Sequence, residues 1–109
     1  MRFWHIAHPD WEPGEPLICR DSLLQQGIEI EWLWDEADDG TDCDRVCLFP
    51  DTEQGRTEAG WLLGDRPDYH IVCVDLPDDY KLSRATWEDY PAVLNRIPAE
   101  YLTKMNEIA

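Results

Sequence analysis

The sequence predicts an α+β domain: a small, mostly antiparallel sheet carrying short helices. Three observations lead there. Apolar runs are short and bounded by proline or glycine, as in 46–49 before Pro50 and 69–76 before Pro77. Two segments, 22–26 and 52–63, have helix boundaries, each followed by a glycine, Gly27 and Gly64. The elements fall in the order β-α-β-β-α-β-β, without the regular strand–helix alternation of a doubly wound sheet.

Residues 2–7 form a first strand, an apolar run with one histidine, His5. Pro9, Pro13, Gly14 and Pro16 then make a rigid extended loop, with Trp11 as its anchor. The helix over 22–26 starts from Asp21 or Ser22 as cap and closes on Gly27 as a C′ glycine. Residues 28–34 alternate apolar and acidic positions before turning apolar throughout, as an edge-like strand does. The loop 35–44 is acidic and carries Gly40. A short buried strand, 46–49, stops at Pro50. Asp51 or Thr52 caps the next helix, which runs to about Leu63 and stops at Gly64. The run 69–76 is the clearest strand in the chain, and residues 78–86 carry no clear signal. Residues 87–94 form a last strand, where Pro91 demands an edge position or a bulge. Ile97-Pro98 turns the chain into a closing segment. No repeat, low-complexity tract or linker interrupts the 109 residues, so a single domain spans 1–109.

The chain is 43% hydrophobic with six Trp, enough to build one modest core despite its charge. A net charge of -15 excludes nonspecific binding to DNA, RNA or anionic membranes, because phosphate contacts need Lys and Arg. The acidity reads either as solubility or as a face for a basic protein, by imitation of nucleic acid. No apolar run approaches the roughly 20 residues that span a bilayer. His5, His8, Pro9 and Asp10 interrupt any signal-peptide core, so a cytoplasmic, bacterial-type protein is expected.

Four cysteines, Cys19, Cys43, Cys47 and Cys73, raise the question of metal. Structural zinc sites pair ligands two to four residues apart, twice over, and only Cys43-x-x-x-Cys47 approaches that. Cys73 lies in an apolar strand as a small hydrophobe. The expectation is no metal and no disulfide framework. Neither a G-x-G-x-x-G cradle nor a Walker lysine is present, and no Ser or Cys sits in a nucleophile elbow.

In order and local phrasing the chain resembles the ADP-ribosyltransferase-like superfamily. Trp4-His5-Ile6 supplies a first strand with a histidine, and Leu23-Leu24-Gln25-Gln26-Gly27 a helix ending in glycine. Val46-Cys47-Leu48-Phe49-Pro50-Asp51 is a strand running into an acidic helix start. Ile71-Val72-Cys73-Val74-Asp75-Leu76 is a strand finishing in aspartate and leucine. Ile97-Pro98-Ala99-Glu100-Tyr101-Leu102 is similar to the closing phrase of many small bacterial members. The resemblance covers nearly the whole chain, though no single motif is specific. It implies an ADP-ribosyltransferase-like fold and NAD as cofactor.

By that resemblance His5 hydrogen-bonds a ribose of NAD, for which imidazole offers a donor and an acceptor on opposite edges. The residues alone allow a second role, a histidine satisfied by backbone in a half-buried strand. The resemblance makes Glu88 the catalytic carboxylate that stabilises the oxocarbenium-like state as nicotinamide leaves. It also reads as an exposed acid in a Trp-Tyr turn. Arg20, and with it Arg56, suits the NAD pyrophosphate through bidentate bonds, or else forms a surface ion pair with a nearby acid such as Asp21. Glu100 belongs to the closing phrase, which is structural in relatives. The chain departs from the family where the middle motif residue is Tyr or Ser: Phe49 stands there and has no hydroxyl, so the catalytic set is incomplete.

The expected function is therefore an NAD-binding ADP-ribosyltransferase-like domain that modifies a protein acceptor or has lost catalysis. The alternative is a noncatalytic acidic interaction protein, such as an immunity protein, inhibitor or nucleic-acid mimic, that binds a basic partner through Trp11, Trp34 or Trp61. A third reading, a small metal or redox domain, rests on the cysteines alone.

Overall fold

The computed structural model describes residues 1–28, 44–85 and 90–108. Within them the chain is an α+β domain, and every strand pair is antiparallel. Strand β1 (Arg2–Ala7) matches its expected bounds. It pairs along its whole length with β5 (His70–Asp75), from Arg2 opposite Asp75 to Ala7 opposite His70. The short β4 (Phe49–Pro50) and β9 (Leu102–Met105) flank this pair, giving a four-stranded sheet in the order β4-β1-β5-β9. A second group packs over one face of that sheet. It comprises β2 (Leu17–Ile18) with β8 (Arg96–Ile97), and β3 (Arg45–Cys47) with β7 (Pro91–Leu94) and β6 (Ser83–Arg84). A 3₁₀ turn at Ala99–Tyr101 follows Pro98 and leads the closing segment into β9.

Two cores result, because successive side chains of a strand point to opposite faces. Phe3 and Ala7 of β1 join Val72 and Val74 of β5 on the face toward the smaller sheets, packed with Val46, Leu48, Val93 and Ile97. Trp4 and Ile6 face the other way, with Phe49, Ile71 and Cys73, against Ala59 and Leu62 of helix α2 (Glu53–Asp65). Trp4 is 1% exposed, so its truncation to Ala would cost about 3–5 kcal/mol.

Several boundaries differ from expectation. Helix α1 is Arg20–Gln25, two residues earlier than the capping residues suggested. Its N-cap is Cys19, without a side-chain cap bond, and the chain enters on the backbone bond from Cys19 N to Asn95 O. Its C-terminus is as expected: Gly27 at φ 79° closes it, with Gly27 N donating to Leu24 O and Ile28 N to Leu23 O. The run 46–49 is two strands, not one. Leu48 N bonds to Pro91 O as the last link to β7, after which Phe49 crosses to pair with Trp4. Thr52 caps α2 by accepting from Gly55 N. Gly64 does not end α2, which continues to Asp65: its φ is not in the left-handed region that a terminating glycine adopts. The strand expected over 87–94 as the last of the chain begins at Pro91 and is followed by β8 and β9; it is central, between β3 and β6, rather than at an edge or bulge. Pro is tolerated there because it is the strand's first residue. The strand expected over 28–34 and the acidic loop after it lie outside the described residues except for their ends, Ile28 and Asp44. No helix among the described residues is long and apolar enough to cross a membrane.

Candidate functional site

His5 shares the face of Phe3 and Ala7, between the four-stranded sheet and β3. Its Nδ1 lies 2.9 Å from Cys47 O. A carbonyl only accepts, so Nδ1 carries the proton and Nε2 is the acceptor in the neutral ring. Burial penalises the imidazolium and is the main reason its pKa falls to about 4; the Cys47 carbonyl works against that shift, and nearby His8 adds to it. His5 is therefore neutral at physiological pH. His8, just past the strand, is also lowered, again chiefly by burial. The third histidine, His70, opposes Ala7, donates from Nε2 to Pro9 O at 3.0 Å, and lies beside Trp11 with ring centroids 6.2 Å apart.

Trp11 is 3% exposed and donates from Nε1 to Glu15 O, closing the proline-rich loop on itself. It is the loop's anchor, as expected, and for the same reason it is not a partner anchor. Arg20 opens α1 half-buried, on the His5 side of the sheet, since Leu17 just before it packs into the core on that face. Arg56 sits on α2, across the sheet from His5. There Nη1 donates at 2.9 Å to Asp51 Oδ1, which also accepts Trp4 Nε1 at 2.9 Å. The indole bond first, and the guanidinium second, hold the Asp51 carboxyl below its usual range. The structure thus separates the two arginines that the sequence put forward. Glu88, Trp34 and Cys43 lie outside the described residues. Cys19, Cys47 and Cys73 are in no disulfide, and the described residues contain no group of three His, Cys, Asp or Glu that could hold a metal ion.

A second place went unread in the sequence. An open groove of about 470 Å³ runs between α2 and the closing segment. Thr57, Gly60 and Leu63 of α2 form one wall, at spacings that keep them on one helical face. Ile71 of β5 and Ile108 add apolar surface, and Glu53 and Glu107 bring acid to it. Next to Gly60 along the helix is Trp61, 70% exposed, which is not itself a lining residue. The signal was present in part: Thr57, Gly60 and Leu63 recur at helical spacing, but only the neighbouring residues 106–108 turn that face into a groove.

Every described Asp and Glu other than Glu58 is exposed. The chemistry on offer is thus neutral imidazole on one face, and an acid-rimmed apolar trough on the other. No family model, no curated protein and no solved structure matches the chain.

Proposed function

We propose that the chain is a noncatalytic acidic interaction domain that binds a basic protein partner. The observation that carries this reading is Trp61, 70% exposed on a helix bearing Glu53, Glu58 and Asp65, in a protein of net charge -15. Exposed tryptophans are costly in water and are favoured as interface anchors. Exposed carboxylates steer a basic partner toward them. The test is titration of a basic probe, oligolysine, at low and high salt. The reading expects association that weakens steeply with salt; salt-independent or absent association removes it.

A second reading is supported by His5. Its Nδ1 is committed to Cys47 O, which fixes the ring and leaves Nε2 as an acceptor for a ribose hydroxyl, with half-buried Arg20 on the same side of the sheet. On this reading the domain is ADP-ribosyltransferase-like and binds NAD. Calorimetric titration of NAD into the wild-type protein and His5→Ala checks it. Heat lost in the variant supports the site, and equal affinity in both removes the assignment.

A further inference from the structure

The solvent side of α2 combines features that do not stabilise the monomer. Gly60 and Gly64 have nothing within 4 Å of where a Cβ would stand. A glycine inside a helix costs about 1 kcal/mol relative to alanine. Trp61, between them, leaves most of its surface in water. Yet Gly60 lines the groove whose apolar floor is Leu63, Ile71 and Ile108, and Trp61 is its neighbour along the helix.

We propose that this groove docks an extended basic segment of a partner protein, an apolar side chain entering between Leu63 and Ile108 and flanking Lys or Arg meeting the acids at its rim. The inference rests on the acidic-interaction reading and gives it a location. Charge chooses the occupant. Glu53 and Glu107 line the trough, and Glu58 and Asp65 lie on the same helix as Trp61. Arg56, the cation among the lining residues, is already engaged by Asp51. A second copy of this chain would bring another net charge of -15 against these acids, and nucleic acid would bring phosphates. Shape agrees, since small-molecule sites enclose most of their ligand, whereas this trough is open along the helix. The missing side chain at Gly60 lets a partner backbone approach α2 closely, and such a partner would also meet Trp61, the exposed next residue of the helix.

The test is an NMR titration at low salt with two probes, a synthetic peptide of alternating Lys and Leu and an oligolysine of equal length. The Lys/Leu peptide should shift the Trp61 indole and the amides of Gly60, Leu63 and Ile108. Trp61→Ala should weaken it at least about tenfold, with circular dichroism unchanged because Trp61 is exposed. Gly60→Gln, which fills the trough from the solvent side, should weaken it likewise. Binding that neither variant changes, with shifts spread over carboxylates elsewhere, overturns the groove while the acidic-interaction reading stands. No binding of either probe overturns both. A dimer of the protein alone that Trp61→Ala dissolves would assign the groove to a second copy and overturn the partner.

Discussion

The indole of Trp4 and the carboxylate of Asp51, 47 positions apart, are joined by a 2.9 Å hydrogen bond that ties the central strand β1 to the start of α2. Trp4 is almost wholly buried, so its N–H has no water to fall back on. The same Asp51 oxygen receives Arg56, and the next residue, Thr52, caps the helix. One carboxylate thus serves the packing of the sheet and the position of the helix.

Removing it should be costly. Asp51→Ala orphans a buried indole N–H, a loss of about 1–3 kcal/mol. Asp51→Asn keeps an acceptor and should lose less. Urea unfolding of the two variants gives the comparison, and equal losses would mean that charge, rather than the hydrogen bond, holds the contact.

His5 predicts a pH dependence. Its folded pKa, about 4, lies below the usual histidine value, so the unfolded chain binds the proton more readily. Its contribution to stability is complete above about pH 6.5 and is lost as pH falls toward 4, to a limit on the order of 3 kcal/mol. His8, lowered too, acts in the same direction. Denaturant midpoints measured from pH 7 to pH 4 should fall in the wild type and fall less in His5→Gln, which separates the ring from the carboxylates that titrate lower.

Two glycines of α2 should respond oppositely to alanine. At Gly55 a Cβ would collide with the Pro50 carbonyl oxygen and ring, so Gly55→Ala should cost about 1–3 kcal/mol through overpacking. At Gly60 the space is open, and Gly60→Ala should add about 0.5–1 kcal/mol. Thermal melts distinguish them. A gain at Gly60 accompanied by weaker peptide binding would show a helix kept below its attainable stability for the sake of its surface.

Asn95 holds a left-handed backbone at φ 66° while its N–H bonds Asp44 O and its carbonyl accepts Cys19 N. Asn95→Gly should be close to neutral, whereas Asn95→Ala should lose about 1 kcal/mol, because a Cβ is disfavoured in that region without asparagine's local hydrogen bonding. Chemical denaturation checks the pair.

Local pattern carried much of the fold. The unbroken apolar run placed β5, Gly27 placed the end of α1, and Thr52 placed the start of α2, since each depends on neighbours within a few residues. Trp11 was also legible as a loop anchor from the prolines around it. The cap of α1 was not, because Cys19 is held by Asn95, a residue distant in sequence. The break at Leu48 was equally hidden, since one residue's N–H chooses between two sheets only when both are present. The same holds for the candidate sites. Composition alone set the charge on which the proposal of a basic partner rests, and the resemblance of the first strand marked His5. Which side of the sheet each group occupies depended on strand register: β1 against β5 turns His5 toward Cys47 and Trp4 toward Asp51, and so puts the histidine and the α2 groove on opposite faces. Register is a property of pairing between distant segments, and side chains alternate with a period of two, so a shift of one residue would have reversed that assignment.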